Sequence, residues 1–400
     1  MPPTLLIDLD DTLLNNDIET FLPGYLNALA RYLAGRVDPE KMVPQLLSAT
    51  RKMLENQNPA STLEETFDAN FYPSLGVTKE ELREPIAAFY ETIFPTLQNL
   101  TSPRPQAVRL IDEAFAQGWQ IVVATNPLFP RRAIEHRLAW AGLPVERYPF
   151  RLVTSYEHLH FAKPHPAYYA EILDHLGWPV QTVAMVGNSL SDDLLPAAQL
   201  GIPCFWLSDE PIDPAVALPP LSRTGSLQQV LPWLSQIAVE QPELNLTSPA
   251  AIESILLSTP AALDILKRGA PPDHWSIQPQ PGEWCFTEIV CHLRDSDREI
   301  NLPRLERIFN EANAFIAGVN ADAWSDTRSY CSENGDEAFS GFVDARLALL
   351  DRLQPFTPSD WQRQARHAIF GPTNLLELIG FIAAHDRTHI QQAIQTLAAH

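Results

Sequence analysis

The stretch LLIDLDDTLL at residues 5–14 sets three carboxylates, Asp8, Asp10 and Asp11, between two apolar runs, with Thr12 directly after them. On an extended chain, side chains two apart face the same side, so Asp8 and Asp10 can converge. Two close carboxylates both stay ionised only beside a cation; otherwise one takes up a proton and becomes an acid. Either state is useful for chemistry. Taken alone, the same residues also fit an Asp-rich turn that ends a strand.

Three more polar groupings occur farther along. Thr125 and Asn126 follow the run IVVA, Lys163 lies in FAKPHP, and VGNSLSDDLLPAAQLG (186–201) carries Gly187, Asn188, Ser189, Asp192 and Asp193. The elements that must position them are short apolar runs at 5–10, 121–125, 151–155, 182–187 and 203–208, alternating with helical stretches. These runs lack polar alternation, as expected of strands buried on both faces of a parallel sheet. The pattern predicts a doubly wound α/β domain, whose ligands sit beyond the carboxyl ends of the strands. About 100 residues with helical periodicity separate the first two runs, too many for a plain crossover, so an inserted helical subdomain is expected at about 17–100.

With these four groupings in order, residues 1 to about 235 resemble the haloacid dehalogenase-like (HAD) hydrolase superfamily. The resemblance implies a HAD-like Rossmannoid domain with a helical cap and a Mg²⁺-dependent phosphoryl transfer. Asp8 would attack phosphorus to form an aspartyl-phosphate, and Asp10 would protonate the leaving oxygen and then activate water. Thr12, Thr125, Asn126 and Lys163 would hold phosphate oxygens. Mg²⁺ would be held by Asp8, the Asp10 carbonyl, Asn188 and Asp193, with Asp192 kept open in place of Asp193. Members that cleave carbon–halogen bonds lack an acid at position 10, so a phosphatase is expected rather than a dehalogenase. Two residues depart from the family pattern: Asn188 stands where an aspartate is common, and Asp11 replaces a frequent glycine. In the cap, Arg31, Arg36 and Arg51 are read as solvated helix residues.

A polar, proline-bearing stretch at 239–248 reads as a linker, dividing a 1–238 domain from a 249–400 domain. Ser248-Pro249 is a helix start, and four long helical segments follow, which suggests a four-helix bundle. In the last helix Leu378, Ile382, His385, His389 and Ala393 recur at steps of four, three, four and four, placing both histidines on the buried face. His292 follows Ile289 in its own helix. One inward histidine is usually a hydrogen-bonded core residue; three can supply neutral nitrogens to one divalent metal. The phrases GEW and AAHDRTHIQQ resemble the DinB/YfiT-like metal-binding bundles, which implies a site of His292, His385 and His389 for zinc, nickel or a similar ion. Members include metal-dependent transferases, some of them thiol-dependent, and hydrolases.

Apolar residues make up 45% and charged residues 19% of the 400, an ordinary globular composition. The net charge of −21 argues against nucleic acid and anionic membrane as partners. The scattered cysteines, Cys204, Cys285, Cys291 and Cys331, suggest neither a disulfide framework nor a cysteine zinc site. No basic leader and no apolar run long enough to span a bilayer is recognised, so a cytoplasmic protein is expected. The leading functional expectation is a phosphatase of a small phosphorylated metabolite fused to a metal-binding bundle. Two alternatives accompany it: the main activity lies in the bundle, or the bundle is a dimerisation or sensing module, compatible with a homodimer.

Overall fold

The computed structural model describes residues 2–179 and 182–399. The chain folds as two compact units, Met1–Tyr168 with Pro179–Leu244, and Tyr169–Trp178 with Asn245–His400. The second unit thus includes a short segment from the middle of the chain, which no composition change announces.

In the first unit six parallel strands form one sheet: β1 (Thr4–Ile7), β2 (Gln120–Val123), β3 (Leu152–Val153), β4 (Val183–Gly187), β5 (Cys204–Leu207) and β6 (Arg223–Gly225). Their order is β3-β2-β1-β4-β5-β6, a doubly wound arrangement in which the winding reverses between β1 and β4. Leu5, Leu6 and Ile7 are fully buried, as both faces of the central strand demand. β6 was not among the expected strands; its sequence, Arg-Thr-Gly, carries no apolar run because it lies at the sheet edge.

Four helices make the insertion: α1 (Ile18–Leu33), α2 (Pro39–Leu54), α3 (Leu63–Leu75) and α4 (Lys79–Thr92). Their starts are set locally. Asp17 and Asp38 cap the first two, while Thr62 with Glu65 and Thr78 with Glu81 form capping boxes. A two-residue antiparallel ribbon, Leu14–Asn15 with Ser102–Pro103, joins the two ends of the insertion. The cap is fastened to the sheet domain by Leu63 N donating to Leu159 O at 2.8 Å and by Arg132 forking onto Glu91 at 2.7 and 2.8 Å.

The second unit holds the helices α5 (Pro249–Gly269), α6 (Phe286–Ser296), α7 (Leu302–Asn310), α8 (Gly335–Leu353) and α9 (Leu375–Ala398). Ser248 caps α5 by accepting from Ala251 N at 3.2 Å, with Pro249 in the first turn. A π turn at Asp297–Asn301 links α6 to α7 in one long, bent element, so four helical rods result. Contrary to expectation, α5 is long and apolar enough to cross a membrane by length and composition, but 67% of its apolar window is buried inside the structure. A three-stranded sheet of Ala314–Ile316, Gln364–His367 and Gly371–Asn374 was also unforeseen. Its members are three or four residues long, too short to show a period.

The cysteine expectation needs correction. Cys285, at the start of α6, forms a disulfide with Cys331 in the turn Tyr330–Ser332, with Cα atoms 6.5 Å apart. Pairing across 46 residues is made by packing of the two segments, which spacing does not encode. Cys204 and Cys291 are buried and free.

Candidate functional site

At the carboxyl end of β1 the chain leaves the sheet with Asp8 buried, at 9% side-chain exposure. Asp8 N donates to Val186 O of β4 at 3.0 Å, and Ala124 N donates to Ile7 O at 2.7 Å, so three strand ends meet at one place. Lys163 enters from the loop before the helix Pro166–His175, its side chain 2% exposed. Its Nζ lies 2.8 Å from Asp8 Oδ1 and 2.5 Å from Asp193 Oδ1. The other Asp193 oxygen accepts from Ser189 N at 3.0 Å.

Gly187 makes this possible. A Cβ there would collide with the Asp193 carboxylate and lie 2.6 Å from its Cβ. A π turn at Leu190–Leu194 then decides between the two aspartates. Its wider winding accommodates one extra residue, which turns Asp193 inward (1% exposed) and leaves Asp192 partly exposed beside Ser191. Asn188 Oδ1 accepts from Thr12 Oγ1 at 3.4 Å, and Trp206 Nε1 holds the Asn188 carbonyl at 2.9 Å.

Burial pushes the Asp8 carboxyl up to about 7; Lys163 opposes this, while Asp193 and Asp10 add to it. One ammonium between two carboxylates leaves a buried net negative charge, which a further cation would balance. The donors around it, Asp8, Asp193, Asn188 and main-chain carbonyls, are all oxygen, the set that suits a hard dication such as Mg²⁺. The residues therefore fit such an ion.

Asp10 does not join that pair. Its carboxylate receives Arg137 Nη1 at 2.5 Å and Asn16 Nδ2 at 2.7 Å. Asp11 takes φ 54° and turns its Oδ1 to Asn16 N at 2.9 Å, away from Asp8 and Lys163. That left-handed conformation is one that glycine adopts without strain. Thr125 is 1% exposed, one residue beyond the level of Asp8 on the neighbouring strand. Its carbonyl accepts from Tyr168 OH at 2.8 Å and Thr154 Oγ1 at 2.7 Å. Asn126 Oδ1 is buried and finds no hydrogen-bond partner among the described residues. Arg31, Arg36 and Arg51 are exposed on the cap.

Sequence reasoning missed Arg137. It sits on the helix Arg131–Trp140 with 3% side-chain exposure, under the Phe129 ring at 4.7 Å. Its Nε and Nη2 are buried and have no hydrogen-bond partners among the described residues. A signal was available: Ile134, Arg137, Leu138 and Ala141 recur at helical spacing, which puts a cation on an apolar face.

In the second unit, His292 of α6 meets His385 and His389 of α9. His385 Nε2 lies 3.0 Å from both His292 Nε2 and His389 Nε2, so three nitrogens converge. His389 Nδ1 pairs with Gln392 Oε1 at 2.8 Å, which fixes its proton there and frees Nε2 as an acceptor. Trp284 stacks on His389 at 5.6 Å, and Asp322 Oδ1 stands 3.9 Å from His292 Nε2. Burial and the neighbouring rings depress His292 to about 3 and His389 to about 4; burial also lowers His385. All three are neutral near pH 7, the state a metal requires. The three facing Nε2 lone pairs fit a divalent ion with nitrogen preference. Asp322, in a loop far along the sequence, was not anticipated.

Residues 2–201 match the haloacid dehalogenase-like hydrolase family, and residues 255–393 match the DinB superfamily. No curated protein matches the chain. Among solved structures, a HAD phosphatase from Thermococcus onnurineus is 19% identical, with a TM-score of 0.37, over 58% of this chain and 97% of that one. A 2-haloacid dehalogenase from Pseudomonas syringae pv. Tomato DC3000 is 20% identical, with a TM-score of 0.43, over 60% of this chain and all of its own. YfiT from Bacillus subtilis, a four-helix bundle of unusual topology, is 18% identical, with a TM-score of 0.33, over 36% of this chain and 83% of that one.

Proposed function

Because the chain belongs to the haloacid dehalogenase-like hydrolase family, we propose that its first domain, 1–238, is a phosphatase of a small phosphorylated metabolite. The observation that carries this reading is Lys163 Nζ held between Asp8 and Asp193 at 2.8 and 2.5 Å. That contact occupies one Asp8 oxygen, Oδ1, and leaves Oδ2 as the attacking atom. Attack forms the Asp8–phosphoryl bond and expels an alkoxide, which takes its proton from Asp10. Asp10 then removes a proton from the water that cleaves the aspartyl-phosphate. Arg137 and Asn16 orient Asp10 for both transfers. Lys163, Thr12 and Thr125 offer donors where charge builds on the phosphoryl oxygens.

Mg²⁺, held by Asp8, the Asp10 carbonyl, Asn188 and Asp193, supplies charge neutralisation when bound. An acid at position 10 favours a phosphate ester over a carbon–halogen bond, since halide departs without a proton. Phosphate release from a panel of phosphomonoesters tests the reading, with Asp8→Asn as control and chloride release from 2-chloroacids alongside. Asp8-dependent phosphate release is expected, reduced by Asp8→Asn at least ~10³-fold on the scale of losing a nucleophile. Chloride release without phosphate release, or turnover indifferent to Asp8→Asn, overturns it.

The convergence of His292, His385 and His389 favours a second component of the function. The 249–400 domain binds one zinc, nickel or similar ion, following the 239–248 linker, and serves either its own transferase or hydrolase chemistry or the association of two chains. Neither nucleic acid nor membrane is among the proposed partners, given the acidic net charge.

A further inference from the structure

A cavity of about 260 Å³ lies beside His385 in the second unit. It runs along α9 from Leu375 to His385, ten residues and so about 15 Å of helix. Its walls are mostly apolar, including Ile300 and Leu375. At its rim Phe370 and Phe381 meet at a tilt, ring centroids 4.6 Å apart, while 56% and 44% exposed, an apolar entrance of the kind that small ligands use.

The charge is arranged along this length. Arg304 lines the cavity near the start of α9, and its Nη2 donates to the Ala317 carbonyl at 2.8 Å. In a chain of net charge −21, no carboxylate pairs with it among the described residues. His367, 6% exposed, also lines this end. Its Nδ1 accepts from Ile369 N at 3.2 Å and Phe370 N at 3.4 Å, so the neutral ring carries its proton on Nε2. Burial and then the Arg304 charge keep that ring neutral, which makes it a donor beside a cation. The acidic lining group, Asp322, stands at the opposite end by His292. Ser296 also lines the cavity, its buried Oγ without a hydrogen-bond partner among the described residues.

We propose that this cavity binds a small amphipathic carboxylic acid, its carboxylate held by Arg304 and His367 and its alkyl chain laid along α9 toward His385. An arginine fork with a neighbouring N–H donor suits a carboxylate, and the apolar walls suit the chain. The site stands independently of the phosphatase reading.

Calorimetric titration of the full-length protein with butanoate, hexanoate and octanoate tests this, with octan-1-ol as the uncharged control. Each added methylene is expected to tighten binding about fourfold until the cavity is full. Octan-1-ol is expected to bind at least tenfold more weakly than octanoate. Arg304→Gln should weaken octanoate at least tenfold while the protein remains folded at the titration temperature, as an unfolding curve of the same variant checks. His367→Phe, which keeps the ring stacked on Phe370, should weaken it severalfold. Equal binding of acid and alcohol, no binding at all, or no response to Arg304→Gln overturns the proposal. So does octanoate binding that vanishes on chelation but ignores Arg304, since the carboxylate would then sit on a metal at the histidines.

Discussion

Replacing Gly187 with alanine puts a methyl group where the Asp193 carboxylate stands. The new Cβ would lie 2.6 Å from the Asp193 Cβ, so rotation of a flexible tip cannot relieve the overlap. Either β4 shifts or Asp193 leaves Lys163. Overpacking of this kind costs about 1–3 kcal/mol. Loss of the charge-assisted contact to Lys163 adds about 1.5–3 kcal/mol, because the ammonium is 2% exposed and cannot turn to water. Gly187→Ala is therefore expected to destabilise the protein by about 2.5–6 kcal/mol where both occur and by at least about 1 kcal/mol through either alone, read from guanidinium unfolding. Asp8-dependent phosphate release should fall with it, even in the molecules that remain folded at low temperature. A variant that unfolds at the wild-type midpoint and retains full turnover would refute the reasoning, for it would mean that Asp193 need not reach Lys163.

Arg137→Met should lower kcat at least tenfold through a disoriented Asp10, yet change stability by only about 1 kcal/mol, because the lost ion pair is offset by relief of two unpartnered buried nitrogens; kinetics and unfolding on the same variant check both halves. Metal-free protein should lose stability as pH falls from about 6.5 toward 4. His389 is depressed to about 4 when folded, so the unfolded chain takes up its proton first. His389→Phe should remove about 1.4 kcal/mol per pH unit of that slope, and an unchanged slope would show that the ring is not buried neutral. Titration of thiols in unfolded, unreduced protein should count two, Cys204 and Cys291; a count of four would break the Cys285–Cys331 link.

Much of the architecture was legible along the chain because it depends on periodicity. Both-face burial makes β1, β2 and β4 continuous apolar runs, and one-face burial puts His389 on the buried stripe of α9, whereas His385, one turn before it, is only half-buried. Asp8 and the 188–193 loop could be singled out because polar groups there end such runs, and Lys163 because it is a cation in the loop FAKPHP. Other features depend on neighbours that are distant in sequence. Arg137 meets Asp10 across 127 residues, and its role emerges only when the helix Arg131–Trp140 packs over the end of β1. The choice of Asp193 over Asp192 rests on a π turn, a difference in winding that residue types do not record. Likewise the cavity of Arg304 and His367 exists because a three-strand sheet, too short to show a period, closes the start of α9. Local chemistry, read together with the resemblance to two families, thus named the acidic and histidine clusters. Long-range packing alone decided which oxygen and nitrogen atoms face one another, because those distances arise from contacts made after the elements have formed.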